Sequence, residues 1–116
     1  MANMGIMVGW NRAVTGREGH TLAKFGEYVV YLSRLQAEKY IESFEPVLTR
    51  PHGGDLNGFF LIRGNRDKFN ELRETDHWKD WEVWGAYNMV GFGIVECLLG
   101  ADMTDSLQRF GKLLKA

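Results

Sequence analysis

His20, Arg12 and Arg63 are the side chains whose types suggest chemistry beyond packing. His20 precedes a long helical pattern, where an imidazole can move a proton near neutral pH. Two arginines can hold an anionic group such as a carboxylate or an enolate. Trp10, Asn11, Tyr40 and Tyr87 flank these positions in the predicted elements as ligand-binding candidates, Trp10 and Tyr87 walling a pocket. The other candidates have plainer readings. His52 and Asp55 sit in Pro51-His52-Gly53-Gly54-Asp55, a hairpin-loop composition, and two ligands fall short of the three or four that a metal site needs. His77 reads as a surface or capping residue. The lone cysteine, Cys97, reads as a small hydrophobe within a strand. Trp78, Trp81 and Trp84 recur every three residues and so cluster on one side of a helical turn, as anchors of a core or an interface.

The whole chain bounds what these residues can serve. It has 116 residues, 45% of them hydrophobic and 25% charged, with a net charge of −1. That suits one folded domain over 1–116 and excludes a disordered chain. Near-neutral charge gives no electrostatic ground for nucleic acid or an anionic membrane. A single cysteine forms no internal disulfide, which fits the cytoplasm. The opening residues carry no basic stretch before their apolar ones and do not read as a signal peptide. The longest apolar stretch, Met89 to Ala101, contains Glu96 and is shorter than the ~20 residues of a membrane-spanning helix. No cofactor motif is present.

Period-two alternation in Met4, Ile6, Val8 and Trp10 predicts a strand over 4–13. Leu22, Phe25, Val29, Leu32 and Leu35 predict a helix from Thr21, its N-cap, to Glu38. A second strand follows over Tyr40–Leu48 and a third over Gly58–Arg63, joined by the 49–55 loop. Asn65 caps a second helix to Glu74, and Thr75-Asp76 opens a short turn bearing the tryptophans. A fourth strand spans Tyr87–Leu99, and a final helix begins near Thr104. This is a βαββαβ order, the ferredoxin-like α+β arrangement: an antiparallel sheet in the order 4-1-3-2, with both main helices on one face. Strands one, three and four are apolar or small on both faces, so the face without helices calls for a second copy, sheet against sheet, or for the final helix folded over part of it.

On element order and length over residues 4–99, and on the stretch from Leu61-Ile62-Arg63-Gly64-Asn65 to His77-Trp78, the chain resembles the dimeric α/β-barrel superfamily. The resemblance implies a homodimer paired through its sheets and names no chemistry. Members include cofactor-independent monooxygenases, small isomerases and haem-degrading enzymes. The haem-degrading set of Asn, Trp and His is matched only by Asn11: Arg63 stands near the expected Trp, and His77 comes too early.

Reading strands one and three as parallel brings Trp10-Asn11-Arg12 and Arg63 to one sheet edge, with Tyr40, Tyr87 and the helix starts at His20 and Asn65. Helix N-termini favour anions. Two functions fit that cluster. In one, a monooxygenase- or isomerase-like enzyme acts on a small carbonyl or aromatic compound, His20 moving a proton while Arg63 and Arg12 hold an anion. In the other, a non-catalytic homodimer binds a small ligand or a protein partner. An RNA-recognition module shares the element order, but Asn57-Gly58-Phe59-Phe60-Leu61-Ile62-Arg63-Gly64 lacks its leading basic residue and final aromatic.

Overall fold

The computed structural model describes residues 2–115. Its elements are β1 (Met4–Trp10), β2 (Arg12–Ala13), α1 (Glu18–Ala37), β3 (Ser43–Leu48), β4 (Gly58–Gly64), α2 (Arg66–Arg73), α3 (Asp76–Asn88), β5 (Met89–Val90), β6 (Gly93–Leu98) and α4 (Gly100–Leu114). The four long strands form one antiparallel sheet in the order β3-β4-β1-β6, and β2 pairs with β5 in a small separate ladder. Counting the long strands alone, the order is second, third, first, fourth. This is the ferredoxin-like arrangement expected from the sequence.

The core follows from the pleat. Met4, Ile6 and Val8 turn to one face of β1 and are buried, opposite Gly64, Ile62 and Phe60 of β4. Leu32 and Leu35 of α1, Phe69 and Leu72 of α2 and Trp78 of α3 close over them. Asn65 caps α2 by accepting the Lys68 N–H, and the Thr75 hydroxyl oxygen accepts the Trp78 N–H at the start of α3.

Several boundaries differ from the sequence reading, each for a local reason. The first helix begins at Glu18, so Thr21 is inside it and is not its cap; the Thr21 hydroxyl donates to Glu18 O at 2.7 Å. The Glu18 carboxylate accepts the Gly16 N–H at 2.9 Å, which holds its carboxyl below the ordinary carboxylate value. Lys39 adopts a left-handed φ of 65°, and this turn delays the second long strand from Tyr40 to Ser43. The tryptophan turn is a 13-residue helix, α3, that runs on to Asn88 and takes Tyr87 out of the fourth strand. Gly91, with φ 67°, then divides the rest of that strand into β5 and β6. The final helix starts at Gly100 rather than Thr104.

The largest correction concerns direction. β1 and β4, the first and third long strands, run antiparallel, with Gly5 opposite Arg63 and Trp10 opposite Gly58. A helical crossover makes β1 and β3 parallel, and the hairpin from β3 to β4 must then reverse β4. Arg63 therefore lies at the opposite edge of the sheet from Trp10, five residues or about 17 Å along the strand.

The face turned away from the helices carries Gly5, Met7 and Gly9 of β1, Phe59 and Leu61 of β4, Val47 of β3, and Gly93, Val95 and Cys97 of β6. Ser43, Glu45 and Arg63 are its polar members. It is thus predominantly apolar, and α4 does not shelter it: no described residue of α4 is buried.

Asn88 ties the ends of two helices together. Its Oδ1 accepts from Arg17 Nη1 at 2.7 Å and its Nδ2 donates to Trp84 O at 2.8 Å, while the side chain is only 7% exposed. Asn88→Ala removes both bonds and is expected to lower stability by about 1–3 kcal/mol, read as the urea unfolding free energy. A loss below 0.5 kcal/mol would show that this junction does not hold α1 to α3.

Candidate functional site

The helix layer and the sheet part at the Trp10 edge, and a cavity of about 350 Å³ opens there. Its sheet wall is Val8, Trp10, Leu48, Phe60 and Ile94; α1 contributes Thr21, Leu22, Phe25 and Tyr28; α3 contributes Trp78, Trp81, Glu82, Trp84 and Gly85. The β2–β5 ladder and the turn after it add Ala13, Met89 and Phe92. All four tryptophans of the chain therefore line it.

Local geometry explains why these elements wall a space. Asn11 interrupts β1: its N–H donates to Val90 O at 2.8 Å and its Oδ1 accepts from Asn57 Nδ2 at 2.6 Å. Opposite it, a Cβ on Gly91 would meet Asn11 Cβ at 3.2 Å, so the close crossing of the two chains needs glycine there. The short ladder beyond this crossing supplies Ala13 and Met89. A Cβ on Gly85 would clash with the edge of the Phe92 ring, so glycine there permits the close approach of the 91–92 turn to α3.

The walls brace one another through aromatic contacts. Trp10 meets Phe25 edge-on at 6.3 Å and Phe60 at 5.7 Å. Tyr28 meets Phe60 at 5.0 Å and Trp81 at 4.9 Å, both edge-to-face, and Trp81 meets Trp84 at 6.2 Å. Each such pair contributes about 0.5–1.5 kcal/mol beyond its buried area, which opposes collapse of the cavity. Lys24 Nζ stands 5.5 Å from the Trp81 ring centroid.

Polar groups on the lining are few: the Glu82 carboxyl and the Thr21 and Tyr28 hydroxyls. Burial raises the Tyr28 phenol above its ordinary value, and the neighbouring Tyr31 and Glu82 push it the same way. Tyr31, behind Trp81, is pushed up to about 12 by burial, against a smaller opposing effect of the Thr75 hydroxyl. Both phenols are neutral at physiological pH.

The residues proposed from the sequence do not converge. Trp10 alone lines the cavity. Asn11 is spent on the strand break described above. Arg12 and His20 are exposed at the same edge, and Tyr87 is 76% exposed. Arg63 and Tyr40 lie at the far edge, where Arg63 pairs with Glu45 at 3.8 Å and Lys68 Nζ sits 5.3 Å over the Tyr40 ring. The bland reading of His52 holds: Gly54 N–H donates to its Nδ1 at 3.1 Å, and its Nε2 meets Leu56 O at 2.9 Å, a staple of the loop. Among the described residues no cluster of three or more potential metal ligands occurs. Sequence reasoning missed Phe25, Tyr28, Glu82 and Phe92, and it read Trp78, Trp81 and Trp84 as core or interface anchors rather than as cavity walls. The signal for Phe25 and Tyr28 was present, because aromatics three apart on α1 face tryptophans three apart on α3.

No family model matches the chain, and no curated protein matches it significantly. The chain is similar to a solved structure from Bacteroides fragilis described as a dimeric protein of unknown function and ferredoxin-like fold. It is 13% identical with a TM-score of 0.59, and the match covers 83% of this chain and 96% of that one. At this identity the likeness supports the fold.

The buried phenols give a test of this geometry. Folding favours their neutral forms, so their contribution to stability is complete below the unfolded value of 10 and is lost as pH rises through the folded values. The urea midpoint is expected to fall from pH 10 to about 12, and Tyr31→Phe to make that fall shallower. An identical profile for the variant would mean that Tyr31 is open to water.

Proposed function

We propose that this chain is a homodimeric binding protein for a small, uncharged, planar and mostly apolar molecule, held in the cavity at the Trp10 edge. The observation that carries the reading is the lining itself, four tryptophans and four further aromatics with a single carboxyl. A benzene-sized cavity of about 150 Å³ is less than half of this space, so two fused rings suit it. The volume falls at the lower end of the range for ligand pockets, about 300–1,000 Å³. Aromatic walls hold flat rings by stacking and edge contacts, and a buried charge on the ligand would go unpaired. The Tyr28 phenol would donate to a carbonyl substituent, and the Glu82 carboxyl would accept from a hydroxyl.

A monooxygenase- or isomerase-like role loses the support the sequence offered it. That role required His20 and Arg63 on one concave surface, and they stand at opposite edges of the sheet. Catalysis in the cavity would instead fall to Glu82 as the base beside a neutral Tyr28. Glu82→Gln distinguishes the two roles: a binder keeps its affinity for naphthalene, which has no substituent for Glu82 to orient, whereas an enzyme loses turnover.

Pairing through the open sheet face is the second part of the reading. Met7, Phe59, Leu61 and Val95 lie together there, and a patch of this kind is unfavourable on a monomer. The similar protein of the same fold is itself described as dimeric.

Calorimetric titration with naphthalene is expected to show saturable binding accompanied by a change in tryptophan fluorescence. Naphthalene-2-sulfonate should bind at least tenfold more weakly, and Ala13→Phe should abolish binding by filling the cavity. Equal affinity for the sulfonate, or no saturation, would overturn the apolar site. In sedimentation velocity the chain should run as a dimer and Leu61→Glu as a monomer; a monomeric parent chain removes the pairing.

A further inference from the structure

The final helix is amphipathic yet unpartnered. Met103, Leu107, Phe110 and Leu114 recur at spacings of four, three and four, a single stripe, and are 47%, 63%, 57% and 74% exposed. The opposite side carries Asp105, Arg109 and Lys112, with Arg109 Nε on Asp105 Oδ2 at 2.8 Å. A lone helix of this length is marginal in water, so this stripe needs a surface.

The root of the helix decides where that surface can be. Leu99 lies on the open sheet face, its Cδ1 3.1 Å from where a Gly5 Cβ would be. Gly100 turns sharply there with φ 55°, and Asp102 then pairs with Arg66 at 2.7 Å. Fixed at Leu99, Gly100 and Asp102, α4 points away from its own sheet. The radius of gyration, 16.0 Å, records this projection, since a compact chain of this length has about 13 Å.

We propose that α4 is an arm that seats its apolar stripe on a second copy of this chain. The inference rests on the sheet pairing above and extends it. The arm departs at Leu99, on the border of the face that the second copy would cover, so a partner seated on that face lies within reach of the arm. The area argues the same way. The large side chains of the arm expose on the order of 100 Å² each, too little alone for the ~800 Å² per partner of a standard interface, and the sheet face supplies the remainder. Two-fold symmetry gives each copy one arm and one receiving surface, so the exchange closes at a dimer.

Sedimentation equilibrium on the full chain, on Leu107→Asp/Phe110→Asp and on Leu61→Glu tests the arm and the sheet separately. The arm variant is expected to dimerise at least tenfold more weakly while keeping the helical content of the parent by circular dichroism. Because a folding defect would also weaken pairing, a second measurement uses the unsubstituted chain: in a mixture of isotope-labelled and unlabelled copies, the Phe110 ring should give nuclear Overhauser contacts across copies. An arm variant that pairs as tightly as the parent, or Phe110 contacts within one chain alone, overturns the arm and leaves the sheet pairing standing. A parent chain that is monomeric overturns both. Binding of the arm to anionic phospholipid vesicles, with Phe110 contacts across copies absent, would assign the stripe to a membrane surface and overturn the proposal.

Discussion

A sheet has two faces, and the helices of one βαββαβ chain can cover only one of them. In this chain the helix-covered face buries Met4, Ile6, Val8, Phe60 and Ile62, while Met7, Phe59, Leu61 and Val95 share the other face with glycines and a short polar strip. Both surfaces are driven out of water by the same effect, but the chain satisfies only one demand internally. The open sheet face and the exposed stripe of α4 are two parts of the unsatisfied remainder, joined at Leu99. In the proposed dimer a second copy would meet both at once, making the arm and the sheet parts of one interface.

The covered face is not uniform along its length. At the Met4 edge, aliphatic side chains and Phe69 fill the layer between sheet and helices. At the Trp10 edge, large rings stand on both sides and meet edge to face, leaving space between them. Rigid rings braced by several neighbours cannot close a gap as flexible aliphatic chains would. The cavity is a consequence of where the aromatics are placed.

Polar chemistry is arranged around this apolar interior to hold it in place. Asn11 and Gly91 let two strands cross closely, Asn88 fastens the start of α1 to the end of α3, and Arg73 pairs with Glu96 at the sheet edge, where that ion pair holds the glutamate carboxyl low. Asn11 illustrates how a residue of apparent functional type is consumed by architecture. Arg63 does so as well, engaged by Glu45 on the open face.

The alternation of Met4, Ile6 and Val8, the stripe through Leu32 and Leu35, and the Asn65 cap were enough to specify the elements, their order and a sheet greasy on both sides, because these features are local and periodic. The direction of the third long strand was also implicit, since a hairpin must reverse it, and reading it as parallel misplaced Arg63 beside Trp10. What only the tertiary structure decided was which side chains meet. Trp81, Phe25 and Phe92 come from three distant segments, and no spacing in the chain records that their rings close around a common space. The exit angle of α4 is likewise set by Gly100 and by the Arg66–Asp102 pair, contacts between residues remote in sequence. Local periodicity fixes which face of an element is apolar; only three-dimensional placement fixes what that face touches.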